Sequence, residues 1–168
     1  MIDHLKTASA GLAACLGALA IALPGAASAQ DANLIDSVTK ADLDLIVADL
    51  GHEVTFETGA DDEVPGIQLQ TEDDWVFVIL GNACSSGVCA GIQLYAEYPL
   101  SDVVTLENVN ALNRSIPAAK IWIDTENGFW RSERYLIIDG GYTIDAIKYE
   151  IETFEAVSEF IVEQFEEM

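Results

Sequence analysis

The chain has 168 residues, 29 of them Asp or Glu against 7 Lys or Arg, for a formal charge of −22 at neutral pH. That length suits one domain. Negative charge on this scale repels nucleic acid and anionic lipid headgroups, so neither is expected as a partner.

Residues 1–29 read as a secretory signal peptide. Lys6 supplies a positive start, residues 8–23 are almost wholly apolar, and Ala27-Ser28-Ala29 places small residues before a cut between Ala29 and Gln30. The expected destination is the periplasm or exterior of a Gram-negative cell, with no membrane attachment after cleavage. Two alternatives compete with this reading. A retained anchor needs roughly 20 apolar residues, more than this run holds. Lipid attachment at Cys15, behind Leu12-Ala13-Ala14, would cut the apolar region short.

Removing the leader discards one acid, Asp3, and one base, Lys6, so the charge stays at −22. Of 3 cysteines, Cys84 and Cys89 remain. An even count in an oxidising compartment favours a disulfide between them. Closing so short a ring is worth only about 2 kcal/mol in chain entropy, so the bond would pin a local register and not hold the fold together. Two free thiols, or half of a metal site, are the competing readings; with His52 the one histidine left and no second cysteine pair, the metal site lacks ligands.

Residues 30–38 read as a flexible lead-in and 39–168 as the folded domain. Thr39 and Asp42 form a capping-box pattern. Leu43, Ile46, Val47 and Leu50 follow at helical spacing, and Gly51 stands at the stop. Residues 52–58 alternate, with Val54 and Phe56 assigned to one face of a half-exposed strand. After the acidic turn at 59–64, Ile67 and Leu69 mark a second strand, and 71–74 the next turn. Two apolar runs, 75–80 and 92–98, then flank a short loop carrying Cys84 and Cys89, the pattern of a β-hairpin. The first run is apolar at both Val76/Val78/Leu80 and Trp75/Phe77/Ile79. A central strand covered on both sides is expected there.

Thr105 caps a second helix with Leu106, Val109 and Leu112 as its stripe, stopped by Pro117. Residues 118–124 and 129–138 are strands joined through Asn127-Gly128, a hairpin signal. Thr143 caps a long helix reaching about Glu167. Its seam is Ile144, Ile147, Ile151, Phe154, Ile161 and Phe165, with Ser158 as the polar interruption. Glu155, Glu159, Glu163 and Glu167 stand four apart and repel, so apolar packing must outweigh them. Val157, Phe160 and Val162 widen the apolar surface enough to pair with a second copy. The order α-β-β-β-β-α-β-β-α predicts an α+β domain, an antiparallel sheet with helices packed on it.

No reactive constellation emerges. His52 falls within a predicted strand without a nucleophile motif and reads as an edge-strand surface residue. Gly140-Gly141 lacks the surroundings of a phosphate loop. The acid triplets at 61–63 and 72–74 miss the alternation of a calcium loop, and Cys-x4-Cys is not the redox Cys-x2-Cys. The expectation is no catalysis, no cofactor and no metal. Arg114, Lys120, Arg131 and Arg134 gather four of the six bases beyond the leader within 21 positions. They are either paired with local acids or a cationic spot, and alternation puts Arg131 and Arg134 on opposite faces of their strand.

Several segments together resemble the YbjN-domain family of small bacterial proteins linked to sensory transduction, whose fold is like that of type III secretion chaperones. They are Asp49-Leu50-Gly51, Pro65-Gly66-Ile67, Gly81-Asn82-Ala83-Cys84 with Cys89, Asn110-Ala111-Leu112-Asn113-Arg114, Lys120-Ile121-Trp122-Ile123-Asp124, and the terminal helix with Phe154 and Phe165. The resemblance covers about residues 38–167. One departure is the turn 125–128, which lacks an aspartate that similar chains often carry. The resemblance implies a chaperone-like α+β fold and no defined reaction. The candidate partner-binding residues are Asn110, Asn113, Arg114, Lys120 and Trp122. The expected function is an exported, non-enzymatic interaction or regulatory module that binds a protein segment, with a homodimer through the terminal helix or sheet as one arrangement. The alternative is a sensor taking a small ligand or metal in the sheet–helix groove.

Overall fold

Three threonines start the three helices, as their spacing predicts. In the computed structural model, which describes residues 34–59 and 62–168, Thr39 accepts from the Asp42 N–H while the Asp42 carboxylate takes the Thr39 N–H at 2.9 Å, a complete capping box. Thr105 accepts from Asn108 N–H at 3.2 Å and Thr143 from Ala146 N–H at 3.0 Å. The expected leader, its cut at Ala29–Gln30 and Cys15 lie outside the described residues.

The elements run β1 (Leu34–Ile35), α1 (Lys40–Ala48), β2 (Glu53–Glu57), β3 (Gly66–Gln70), β4 (Val76–Ser85), β5 (Val88–Pro99), α2 (Leu106–Ser115), β6 (Lys120–Asp124), β7 (Phe129–Ile137), β8 (Tyr142–Thr143) and α3 (Ile144–Glu166). Six strands form one antiparallel sheet in the order β2-β3-β4-β5-β7-β6. α1 packs over β3, α3 over β5 and β7, and α2 over β6. The fold is therefore α+β with two layers. One core cluster joins Leu43, Ile46, Phe77, Ile79, Leu94 and Phe154; a second, under α2 and the end of α3, joins Val109, Leu112, Ile121, Trp130, Ile161 and Phe165. Each such side chain taken out of water contributes about 1.5–3 kcal/mol.

Ser158, the polar interruption in the α3 seam, is buried and shares a hydrogen bond of 2.9 Å with buried Ser132 of β7. Removing one hydroxyl strands the other, at a cost of about 1–3 kcal/mol; removing both takes the two partners of this bond away together. Urea titration should therefore find Ser158→Ala clearly destabilised and the Ser132→Ala/Ser158→Ala pair closer to wild type. A double variant that loses the sum of two single losses would contradict this account.

Several local expectations are corrected. Residues 34–38 are not a loose lead-in. β1 pairs with β8, and Val38, fully buried, exchanges backbone hydrogen bonds with Cys89 at 2.8 and 2.9 Å. β2 carries a bulge between Val54 and Phe56. The extra residue, Thr55, sets Val54 beside Leu69 and Phe56 beside Gln68, on opposite faces, and both are exposed. β4 is covered on one side only: Phe77 and Ile79 are buried, but Val76 is exposed and Val78 and Leu80 partly so. Leu106, expected in the α2 stripe, is exposed at the helix start. His52 is half-buried and lies just before β2 rather than on an exposed strand face. It sits edge-on to the Phe77 ring with Nε2 3.3 Å from the Glu155 carboxylate of α3.

The hairpin tip is tighter than a loop. Cys84 and Cys89 lie opposite each other within β4 and β5 and are disulfide-bonded. Ser86 and Gly87, at φ +54° and +76°, make the two-residue turn that matches strand twist.

The β6–β7 turn is organised from its first residue. The Asp124 carboxylate accepts from the Asn127 side-chain amide at 2.8 Å and from the Glu126 and Asn127 backbone N–H groups at 3.0 Å each. These bonds, the Asn127 side chain foremost, hold its carboxyl below the ordinary 3.8. A depressed carboxylate adds stability above its unfolded-state value and loses it as pH falls through the folded one. Asp124→Ala should thus lower the unfolding midpoint at pH 7, with the difference from wild type shrinking as pH is taken below 3.8. A pH-independent gap would remove the carboxylate from the explanation.

Candidate functional site

With all the described helices on one side, nothing among the described residues covers the other sheet face, the open face. Cross-strand register sets its rows: Phe56, Gln68, Val78, Tyr95, Glu133 and Lys120 run across it, with Val76, Glu97, Arg131 and Trp122 on one flank and Leu80, Gln93 and Tyr135 on the other. Phe56, Val76 and Tyr135 are 61%, 41% and 47% exposed.

The polar groups on this face bind one another. The Arg131 guanidinium lies 4.1 Å from the Tyr95 ring centre and 4.8 Å from that of Trp122, and is ion-paired to Glu97. Contacts of this kind add about 0.5–1 kcal/mol each at exposed sites. Glu133 accepts from Gln93 Nε2 at 3.1 Å and Trp122 Nε1 at 3.0 Å. Burial pushes the Tyr95 phenol above its ordinary value. Arg131, Glu97 and Glu133 are thus held in place.

The face carries Glu53, Glu97, Glu133 and Asp124 against Lys120 and Arg131, four acids to two bases. In a chain of −22, this face holds a net charge of only −2, from four acids less two bases. A groove of about 490 Å3 lined by Asn82, Gln93, Lys120, Glu133, Arg134 and Tyr135 opens on it. Among the described residues no group of three or more His, Cys, Asp or Glu is placed to hold a metal ion, and no helix is long and apolar enough to cross a membrane.

The family profile described as "YbjN: Putative bacterial sensory transduction regulator" matches residues 42–167. The chain belongs to the YbjN family. No curated protein matches it in sequence. Among solved structures, an uncharacterized protein from Methanothermobacter thermautotrophicus is similar at 10% identity and TM-score 0.54, over 77% of this chain and 98% of that one. A chain of the HopA1-SchA chaperone-effector complex is similar at 14% identity and TM-score 0.53, over 76% of this chain and 92% of that one. At these identities the likeness is one of fold: the YbjN chain shares its α+β architecture with both.

The open face brings together two of the residues that the YbjN resemblance singles out, Lys120 and Trp122. It does not include the three on α2. Asn113 serves the fold: its side-chain amide donates to Ile121 C=O at 2.7 Å and accepts from Ile121 N–H at 2.8 Å, standing in for a strand beside β6. Asn110 and Arg114 are exposed on α2. Arg131 and Arg134 point to opposite faces as alternation predicts, and each is ion-paired, to Glu97 and Glu150. Tyr95, Gln93 and Glu133 go unnoticed in the sequence, where each is one more polar or aromatic residue in a strand. Their signal is the register to Arg131 and Trp122, which pairing alone supplies.

Proposed function

We propose that this YbjN-family protein is an exported, non-enzymatic module that holds an extended segment of another protein against its open sheet face. The observation that carries the reading is the sorting of charge. A chain of −22 leaves this one broad surface at a net charge of only −2 and studded with Phe56, Val76, Val78, Tyr95 and Trp122. Contiguous apolar surface of this kind marks interaction sites, and the acidic remainder favours segments with net positive charge. The likeness to a chaperone-effector complex supports the same reading. Export rests on the reading of residues 1–29 as a secretory leader.

The test is selection of random ten-residue segments displayed on phage, using protein purified from the periplasm of an expressing bacterium. Enriched segments should be apolar with net positive charge. Their affinity should fall at least tenfold for Phe56→Asp/Val76→Asp, both sites being exposed enough to leave the fold intact. Failure to enrich, or equal affinity in that variant, would overturn the reading.

A small-ligand sensor has one observation in its favour: an apolar recess of about 260 Å3 between the chain after β5 and the end of α3, lined by Val103, Val104, Trp130, Val162 and Phe165. Thermal-shift screening with small apolar compounds checks it. A hit that survives Val162→Trp would place the ligand elsewhere.

A further inference from the structure

β7 is longer than the strand beside it. β6 pairs only with Phe129–Glu133, and among the described residues nothing pairs with β7 on that side beyond Glu133. The cause lies upstream. Ile116 and Ala119 are buried in the second core cluster with Pro117 between them, so the chain emerges from beneath α2 and meets the sheet only at Lys120.

Two sets of bonds identify the backbone groups left open. Ile138 donates its N–H to Ala90 at 2.9 Å, towards β5. Ile121 turns away from β7 to bond Asn113, so Lys120 and Trp122 are the β6 residues that face it. Backbone polar groups alternate sides along a strand, and both observations give the same parity: Tyr135 and Ile137 direct N–H and C=O into the gap. Neither has a backbone partner there among the described residues. Their side chains are 47% and 60% exposed. Two grooves, of about 490 and 310 Å3, share Lys120, Glu133, Arg134 and Tyr135 in their walls. The opposite sheet edge differs: β2 is bulged and carries Glu53 and Glu57, devices that discourage pairing.

We propose that the gap beside Tyr135 and Ile137 accepts one extended strand of a partner polypeptide, running in line with β6 and hydrogen-bonded to these two residues. The inference rests on the protein-binding reading above and names how one end of the segment is gripped, the rest of it crossing the open face towards Val76 of β4 and Phe56 of β2. The occupant is a non-acidic segment with positively charged flanks. At the gap itself charge is balanced, with Lys120 opposite Glu133 in register and Arg134 paired to Glu150. A second copy would bring another −22 into contact with the first, whereas basic flanks meet the acidic remainder of the molecule. Main-chain bonds provide the grip, so the site tolerates many sequences that alternate small or apolar side chains and lack proline.

Ile137→Pro tests this, because it deletes an outward N–H and leaves the bonds of Leu136 and Ile138 to β5 in place. Segments from the phage selection should lose at least tenfold in affinity against Ile137→Pro and little against Ile137→Ala. Hydrogen exchange by NMR supplies the second measurement. The Tyr135 and Ile137 amides should exchange fast in the free protein and slow when a segment is bound, while the Leu136 and Ile138 amides stay protected, the latter also in Ile137→Pro if its fold is intact. Equal affinity for Ile137→Pro, with loss in Phe56→Asp/Val76→Asp, would overturn strand addition and leave the open-face reading standing. No enrichment at all would remove both. Protected Tyr135 and Ile137 amides in a free protein that light scattering shows to be dimeric would assign the gap to a second copy and overturn the proposal.

Discussion

Phe154→Ala is expected to lower folding stability by about 3–5 kcal/mol, the range for emptying a buried aromatic site. Phe154 is fully buried on α3 and meets Phe77 of β4 edge to face, ring centres 6.3 Å apart. Phe77 in turn contacts His52, so one ring links the long helix, the central strand and the chain leaving α1. No exposed side chain stands ready to collapse into the hole: Leu43, Ile46, Ile79 and Leu94 around it are already at zero exposure. Urea unfolding followed by far-ultraviolet circular dichroism checks the value, with Phe160→Ala as the matched control. Phe160 is 46% exposed on the same helix, and its loss should stay within about 0.5 kcal/mol. Similar losses for the two would mean that α3 does not pack on the sheet through Phe154.

Gly81→Ala is the second large effect, at about 1–3 kcal/mol, the usual range for overpacking. A Cβ at Gly81 would stand 2.5 Å from Cys89 Sγ, 3.0 Å from Cys84 Sγ and 3.1 Å from Pro65 Cδ. A lone side chain could swing aside, but two sulfurs bonded to each other across paired strands cannot. The prediction therefore has a coupled form. In a Cys84→Ala/Cys89→Ala background the clash with sulfur disappears, and the cost of Gly81→Ala should shrink towards what Pro65 alone imposes. The double-mutant cycle is read by chemical denaturation. An unchanged cost in the cysteine-free background would show that the disulfide is not what fills the space over Gly81.

Helix starts, the succession of the three helices and the six strands of the main sheet along the chain, and the cysteine pairing were legible because each rests on a few neighbouring residues. A threonine three residues before its hydrogen-bond partner announces a helix wherever it occurs, and Thr39, Thr105 and Thr143 all do so. Layer count was not legible. Val76, Val78 and Leu80 are as apolar as a doubly covered strand requires, and only the placement of every described helix on one side leaves them uncovered. The bulge at Thr55 was hidden for a related reason: alternation in 52–58 is perfect in sequence, and the extra residue exists only relative to β3. Asn113 looked like a partner-binding residue because its task, satisfying Ile121, involves a residue eight positions away in a strand of its own. The open face has the same character. It is assembled from every other residue of five or six strands and has no local motif.

Its low net charge also has a consequence for how the molecule meets a surface. The exposed acids Asp44 of α1, Asp49 at its C-terminal cap, and Glu152, Glu159, Glu163 and Glu166 of α3 all belong to the helical layer. A cationic wall attracts that layer first, at ranges up to the screening length of about 8 Å at physiological ionic strength. The protein should then settle with its helices down, its sheet turned outward to the solution.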